Sequence, residues 1–304
     1  MIDTRVKIGN LTLQNPILLA SGTVGYGNEI SEFIDLSKIG AIITKSISLM
    51  PRIGNPPPRI TETPSGMINA IGLANVGLEK FIKEKIPFLE KLSAPIICNI
   101  AASTYEEYET CVKELNSISS IKAFEINVSC PNVKEGGLEF GNNVNAVRKI
   151  TEMTKNVSTK PIIIKLSPNV SRISELAKAA KEGGADAVSA INTIVAAAFD
   201  IYTRKPKIKN ITGGLSGPAI KPIAVAKILE IHRNVDIPII GIGGITSWQD
   251  AAELMIAGAK AVQIGSANFI DPEVSLRILD GLINYAKMQG FNKLEDITGS
   301  YILD

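Results

Sequence analysis

The sequence predicts an α/β fold, a (β/α)8 TIM barrel. Two observations carry the prediction. Eight short apolar runs recur along the 304 residues, each continuous rather than alternating, which marks strands buried on both faces. Longer stretches of helical periodicity separate them. A doubly wound open sheet also fits this alternation, but eight regular units favour closure.

In chain order, Arg5–Gln14 (RVKIGNLTLQ) comes first and reads as an N-terminal β-hairpin that turns at Gly9-Asn10 and plugs the N-terminal end of the barrel. The strand runs are Pro16–Gly22, Ala41–Ser46, Pro95–Ala102, Ala123–Cys130, Pro161–Pro168, Ala187–Thr193, Pro238–Gly244 and Ala261–Ala267. A helical stretch is expected after each, such as Ser174–Gly183 and Ser247–Gly258. The latter opens on an N-cap serine and closes at a glycine. No boundary or linker interrupts the pattern, so residues 1–304 read as a single domain. Three connections are long for βα loops: Ile47 to Leu78, Pro131 to Asn143 and Ile194 to Pro222. Insertions at the C-terminal face of a barrel usually serve function.

Composition narrows the classes. The 32 basic and 30 acidic residues leave a net charge of +2, with no basic stripe for nucleic acid. MIDTRVKIGN lacks the apolar core of a signal peptide. No apolar run approaches the ~18 residues of a membrane span. Cys98, Cys111 and Cys130 are odd in number and have no CxxC spacing, against a disulfide framework, a cluster or a metal site. A cytoplasmic protein is expected.

The rim at the strand ends carries the chemistry. It gathers Ala20-Ser21-Gly22, Lys45-Ser46, Asn99, Asn127 and Cys130, then Lys165, Asn192-Thr193, Gly243-Gly244 and Gly265-Ser266. Burying a lysine without a partner is costly, so two on one rim imply an anionic or electron-rich ligand. Small-residue pairs after strands seven and eight suit phosphate binding through backbone N–H groups. GIGGIT is not a dinucleotide fingerprint, because Thr246 stands where the third glycine belongs. Cys98 and Cys111 read as small buried hydrophobes. The one histidine, His232, falls at the end of a surface helix, which leaves no Ser-His or Cys-His pair.

NVSCPNVKEGG, GNPPPRITETPSGMINAIGL, INT, GGLSGPAIKP and GIGGI resemble the dihydroorotate dehydrogenase family over nearly the whole chain. Cysteine at 130 is similar to the soluble class 1 enzymes rather than class 2, which carries serine there. The GNPPPRI block and the KEGG loop resemble subclass 1B, whose acceptor is NAD through a partner subunit. Ala196-Ala197-Ala198 departs from relatives that carry a glycine and a bulkier residue.

The resemblance implies flavin-dependent oxidation of dihydroorotate to orotate in pyrimidine biosynthesis, with Cys130 as the base at C5. It implies FMN held by Ser21, Lys45, Ser46, Asn99, Asn127, Lys165, Ile191 and Gly217, with its phosphate at Gly243, Gly244, Gly265 and Ser266. Substrate contacts carry over to Lys45, Asn69, Ala70, Ile71, Gly72, Leu73, Asn127, Asn132, Asn192 and Thr193. FAD and a [2Fe–2S] cluster belong to an electron-transfer partner, in a heterotetramer of two copies each. A uracil- or thymine-reducing flavin barrel and a non-redox phosphate-binding barrel are the competing readings.

Overall fold

The computed structural model describes residues 2–129 and 140–303. Cys130 and Asn132 therefore lie outside the described residues. In chain order the strands are β1 (Val6–Ile8), β2 (Leu11–Leu13), β3 (Ile17–Leu19), β4 (Ala41–Ile43), β5 (Ile60–Thr63), β6 (Gly66–Asn69) and β7 (Ile96–Ile100). They continue with β8 (Ile121–Asn127), β9 (Ile162–Lys165), β10 (Ala187–Ala190), β11 (Ile194–Ala197), β12 (Thr212–Ser216), β13 (Ile239–Ile242) and β14 (Ala261–Ile264). Eight of them close a parallel barrel in the order β10-β13-β14-β3-β4-β7-β8-β9; seven fall inside the runs read from sequence, and β8 overlaps the fourth run but begins two residues earlier, at Ile121.

The continuous apolar runs serve two cores at once, because successive side chains leave a strand on opposite faces. Ile17, Leu19, Ile42, Ile96 and Ile162 join the outer layer between strands and helices. Leu18, Ile43, Ile97, Ile163 and Ile240 fill the barrel interior. Val6, Ile8 and Leu13 of the β1–β2 hairpin belong to that interior cluster, so the hairpin is the plug that was expected.

The helices are α1 (Leu78–Lys80), running through a π-helical turn into α2 (Ile86–Leu89), then α3 (Tyr105–Asn116), α4 (Val144–Asn156), α5 (Ile173–Glu182), α6 (Lys221–Asn234), α7 (Trp248–Ile256) and α8 (Val274–Met288). The Ser247 cap of α7 is as expected: its hydroxyl accepts from the Asp250 N–H, and Asp250 closes a capping box. One unit differs from expectation. Between β3 and β4 the described chain forms turns and a 3-10 segment, Leu36–Lys38, rather than an α-helix. Gly22, Gly25 and Gly27 there take φ of 86°, 56° and 95°, which interrupts any helical ladder. Val24, Tyr26, Ile30 and Ile34 still bury against the outer core.

A second difference lies in the long connections. The first contains β5 and β6 and the third contains β11 and β12, and the four pair as an antiparallel sheet in the order β11-β12-β6-β5. A third is the end of the fourth barrel strand, expected to reach Cys130 but ending at Asn127. Tyr108 donates its hydroxyl to the Asn127 carbonyl at 2.7 Å, and the Asn127 side chain accepts from the Ser129 N–H. Those bonds replace the strand ladder with a turn. Among the described residues, no helix is long and apolar enough to cross a membrane.

Candidate active site

A cavity of about 820 Å³ opens at the C-terminal ends of the barrel strands, and the four-stranded sheet borders it. That volume suits a ligand larger than a single small substrate. Its wall contains Ser21, Lys45, Ser46, Asn127, Lys165, Ile191, Gly217, Gly243, Gly244, Gly265 and Ser266. It also contains Asn69, Ala70, Ile71, Gly72, Leu73, Asn192 and Thr193. Every expected site residue within the described chain therefore converges here, except Asn99. Asn99 is fully buried beneath the wall and donates to Glu125 at 2.7 Å.

The amides are held by one another and by the loops. Asn127 Oδ1 accepts from Asn192 Nδ2 at 3.2 Å, and Asn192 Oδ1 accepts from the Thr193 N–H at 2.8 Å. Asn69 donates to the Gly214 carbonyl of β12. A Cβ on Gly214 would come within 2.1 Å of the Thr193 hydroxyl, so only glycine lets the inserted sheet lie that close to the end of β10. Gly72 and Leu73 both occupy the left-handed region, with φ of 74° and 56°. For Leu73 this is strained backbone, held within a loop that lines the cavity.

Lys45 is half-buried, and its side chain has no hydrogen bond or ion pair among the described residues. Burial lowers its pKa below the ordinary lysine value, and the Arg59 guanidinium lowers it further. Glu29 opposes that shift without forming an ion pair, and a cation with no direct ion pair, facing a cavity, is a ready site for a carboxylate. Cys98 and Cys111 are unlike it. Burial pushes each thiol up to about 12, which keeps them protonated and inert.

On the opposite side, Gly243 and Gly244 leave β13 with φ of 134° and 72°. Asp250 fixes the loop that follows: its Oδ2 accepts from the backbone and hydroxyl of both Thr246 and Ser247, each at 2.9 Å. Gly265 keeps open space, with Ala20 and Thr23 no nearer than 3.8 Å to an added Cβ.

Two pocket residues escaped sequence reasoning. Gln263 of β14 lines the cavity, and Glu125 lies directly under it at 0% exposure. The signal was available: a carboxylate inside FEIN and an amide inside AVQI break otherwise apolar strand runs, as Lys165 does. Two amides leave an orphaned oxygen, since Gln263 Oε1 at the cavity wall and Asn99 Oδ1 beneath it are buried without a hydrogen-bond partner. Buried acceptors of that kind normally have a donor, and a ring N–H of a ligand fits the one at the cavity wall, Gln263 Oε1. Together with the open small-residue cradle, it accommodates a flat heterocycle bearing a phosphate.

Known proteins resemble the chain over nearly its whole length. The family model described as dihydroorotate dehydrogenase matches residues 3–285. A protein of Geotalea uraniireducens named dihydroorotate dehydrogenase B (NAD(+)), catalytic subunit, is 47% identical over 99% of this chain and 98% of its own. Proteins of the same name from Thermoanaerobacter sp. strain X514 and Bacteroides thetaiotaomicron are 48% and 45% identical, over 100% and 99% of this chain and the same shares of their own. The chain belongs to the dihydroorotate dehydrogenase family.

Proposed function

We propose that this chain, as a single FMN-binding domain spanning residues 1–304, oxidises dihydroorotate to orotate in pyrimidine biosynthesis. The supporting observation is one cavity that faces Lys45 and a set of interlocked asparagines toward a Gly243-Gly244 and Gly265-Ser266 cradle. When bound, FMN supplies the hydride-accepting chemistry at C6 of the substrate. The protein's own residues do the rest. Lys45 balances the substrate carboxylate. Asn69, Asn127, Asn132, Asn192 and Thr193 offer donors and acceptors to the imide edge without adding charge. The backbone of residues 70–73 closes over the substrate.

Cys130 takes the C5 proton. A free thiol with a reference pKa near 8.5 keeps a usable thiolate fraction around neutrality, which a serine does not. No histidine is needed, because the group acts as a base and not as an acyl acceptor. Electrons then leave to NAD through an electron-transfer subunit carrying FAD and [2Fe–2S], in a cytoplasmic heterotetramer of two copies each. The relatives' names, which specify NAD(+) and a catalytic subunit, support that route.

The test is anaerobic stopped-flow. The purified protein carries FMN that dihydroorotate bleaches, and Cys130→Ala slows bleaching by about 10²–10⁴-fold while orotate still perturbs the flavin spectrum. A near-normal rate in Cys130→Ala removes the thiol from the mechanism. Efficient NAD reduction by the isolated chain removes the partner.

A further inference from the structure

A carboxylate at 0% exposure inside a barrel is costly unless donors surround it. Glu125 has four, each from a different strand. Its Oε1 accepts from Asn99 Nδ2 of β7 at 2.7 Å and Lys165 Nζ of β9 at 3.4 Å. Its Oε2 accepts from Ser189 Oγ of β10 at 2.8 Å and Gln263 Nε2 of β14 at 2.6 Å. The register explains the convergence, since Asn99 pairs with Glu125 across β7–β8 and Ser189 with Lys165 across β9–β10.

The consequences reach the cavity although Glu125 does not. Each amide turns its N–H end to the carboxylate, so its oxygen faces away: these are the two orphaned acceptors. Lys165, whose side chain is 8% exposed, meets the cavity with its charge already balanced by Glu125. We infer that Glu125 is a positioning residue for the reaction: it makes the cavity floor charge-neutral, fixes the Gln263 acceptor that receives a ring N–H, and thereby sets how strongly the bound flavin prefers its reduced form. The inference rests on the flavin reading above. Without Glu125, Lys165 becomes an uncompensated cation in the cavity wall, and added electron density on a bound flavin would be stabilised more.

The experiment has a holoprotein arm and an apoprotein arm. In the first, wild type, Glu125→Gln and Glu125→Asp are equilibrated anaerobically with reference dyes. Removing one buried charge from beneath the cavity, in an effective dielectric near 20, shifts the oxidised–reduced equilibrium toward reduced by on the order of tenfold, which is ~30 mV for a two-electron couple. Glu125→Asp keeps the charge and stays within about threefold of wild type. In the second arm, thermal melting of flavin-free protein compares Glu125→Gln with the double variant Glu125→Gln/Lys165→Met. The double melts higher, because it no longer strands an ammonium; if Glu125→Gln fails to fold, the double still folds. An unchanged equilibrium in Glu125→Gln, or a double variant no more stable than the single, overturns the inference. Wild-type protein that binds no flavin overturns the functional reading instead and leaves the melting comparison to decide the role of Glu125.

Discussion

Replacing Asp250 with asparagine removes one charge from the clamp that holds the loop after β13. Five donors converge on that carboxylate: the N–H and O–H of Thr246 and of Ser247 on Oδ2, and Lys221 Nζ on Oδ1 at 2.8 Å. Burial alone would raise its pKa, but Lys221 and the Thr246 and Ser247 donors outweigh burial and hold it down to about 2 from 3.8. That depression corresponds to ~2.5 kcal/mol of native-state stability near neutrality. The sign follows from linkage. A folded-state pKa below the unfolded value gives stability that is complete above about pH 4 and lost as pH falls through 2, with about half left at pH 3. Lys221 is not stranded by the change, since Glu253 lies 2.7 Å away. Urea unfolding of the apoprotein, followed by far-ultraviolet circular dichroism, should place the Asp250→Asn midpoint roughly 0.5–1 M below wild type at pH 7. At pH 3 the deficit should be about half as large. Equal midpoints at pH 7, or a deficit undiminished at pH 3, refute the reasoning.

Four further outcomes are expected. Ser266→Asp places a carboxylate in the phosphate cradle and should release FMN with the fold intact by circular dichroism; Gly244 is a poorer probe, because a Cβ there would meet the Lys221 backbone at 2.8 Å. Lys45→Met should weaken orotate binding by roughly 10–100-fold at low salt, a charge pair of up to ~4 kcal/mol discounted for partial exposure. In the wild type, the lowered Lys45 pKa should make that binding fade on the alkaline side before an ordinary lysine would titrate, as flavin-monitored titrations at rising pH can read. Cys98 and Cys111, with thiols raised to about 12 by burial, should resist alkylation in native protein at pH 8 and label only on unfolding, as peptide mapping would report.

What could be read from sequence, and what could not, divides by the range of the forces involved. The barrel strands were legible because burial on both faces writes itself into each run separately, as in IIIK of β9 and AVQI of β14. The rim was legible because a strand's end projects at a known face once the fold is assumed. The β11-β12-β6-β5 sheet was not, since its central pairing joins segments about 145 residues apart, Asn69 with Gly214. Nothing local in SGMINA announces a partner in TGGLSG. The missing first helix was a local failure of another kind: the regular alternation of strand and helix predicted it, and three glycines whose positive φ decides the matter override the pattern.

The polar layer is the most instructive case. Burial of an unpaired charge was reason enough to single out Lys165, and the same reason applies with equal force to Glu125, three residues after Lys122 in the strand that leads to Asn127. Register does the remaining work. In a closed parallel barrel, inward positions of neighbouring strands fall into layers, so a lysine and a glutamate on adjacent strands must either come within reach and pair or each be costly. The β8–β9 register sets Asn127 opposite Lys165 and Glu125 opposite Ile163, and the long lysine side chain reaches back one layer to the carboxylate. Asn99 follows from the same step: its register partner is Glu125, so its amide N–H turns inward to the carboxylate and its oxygen is left buried without a partner.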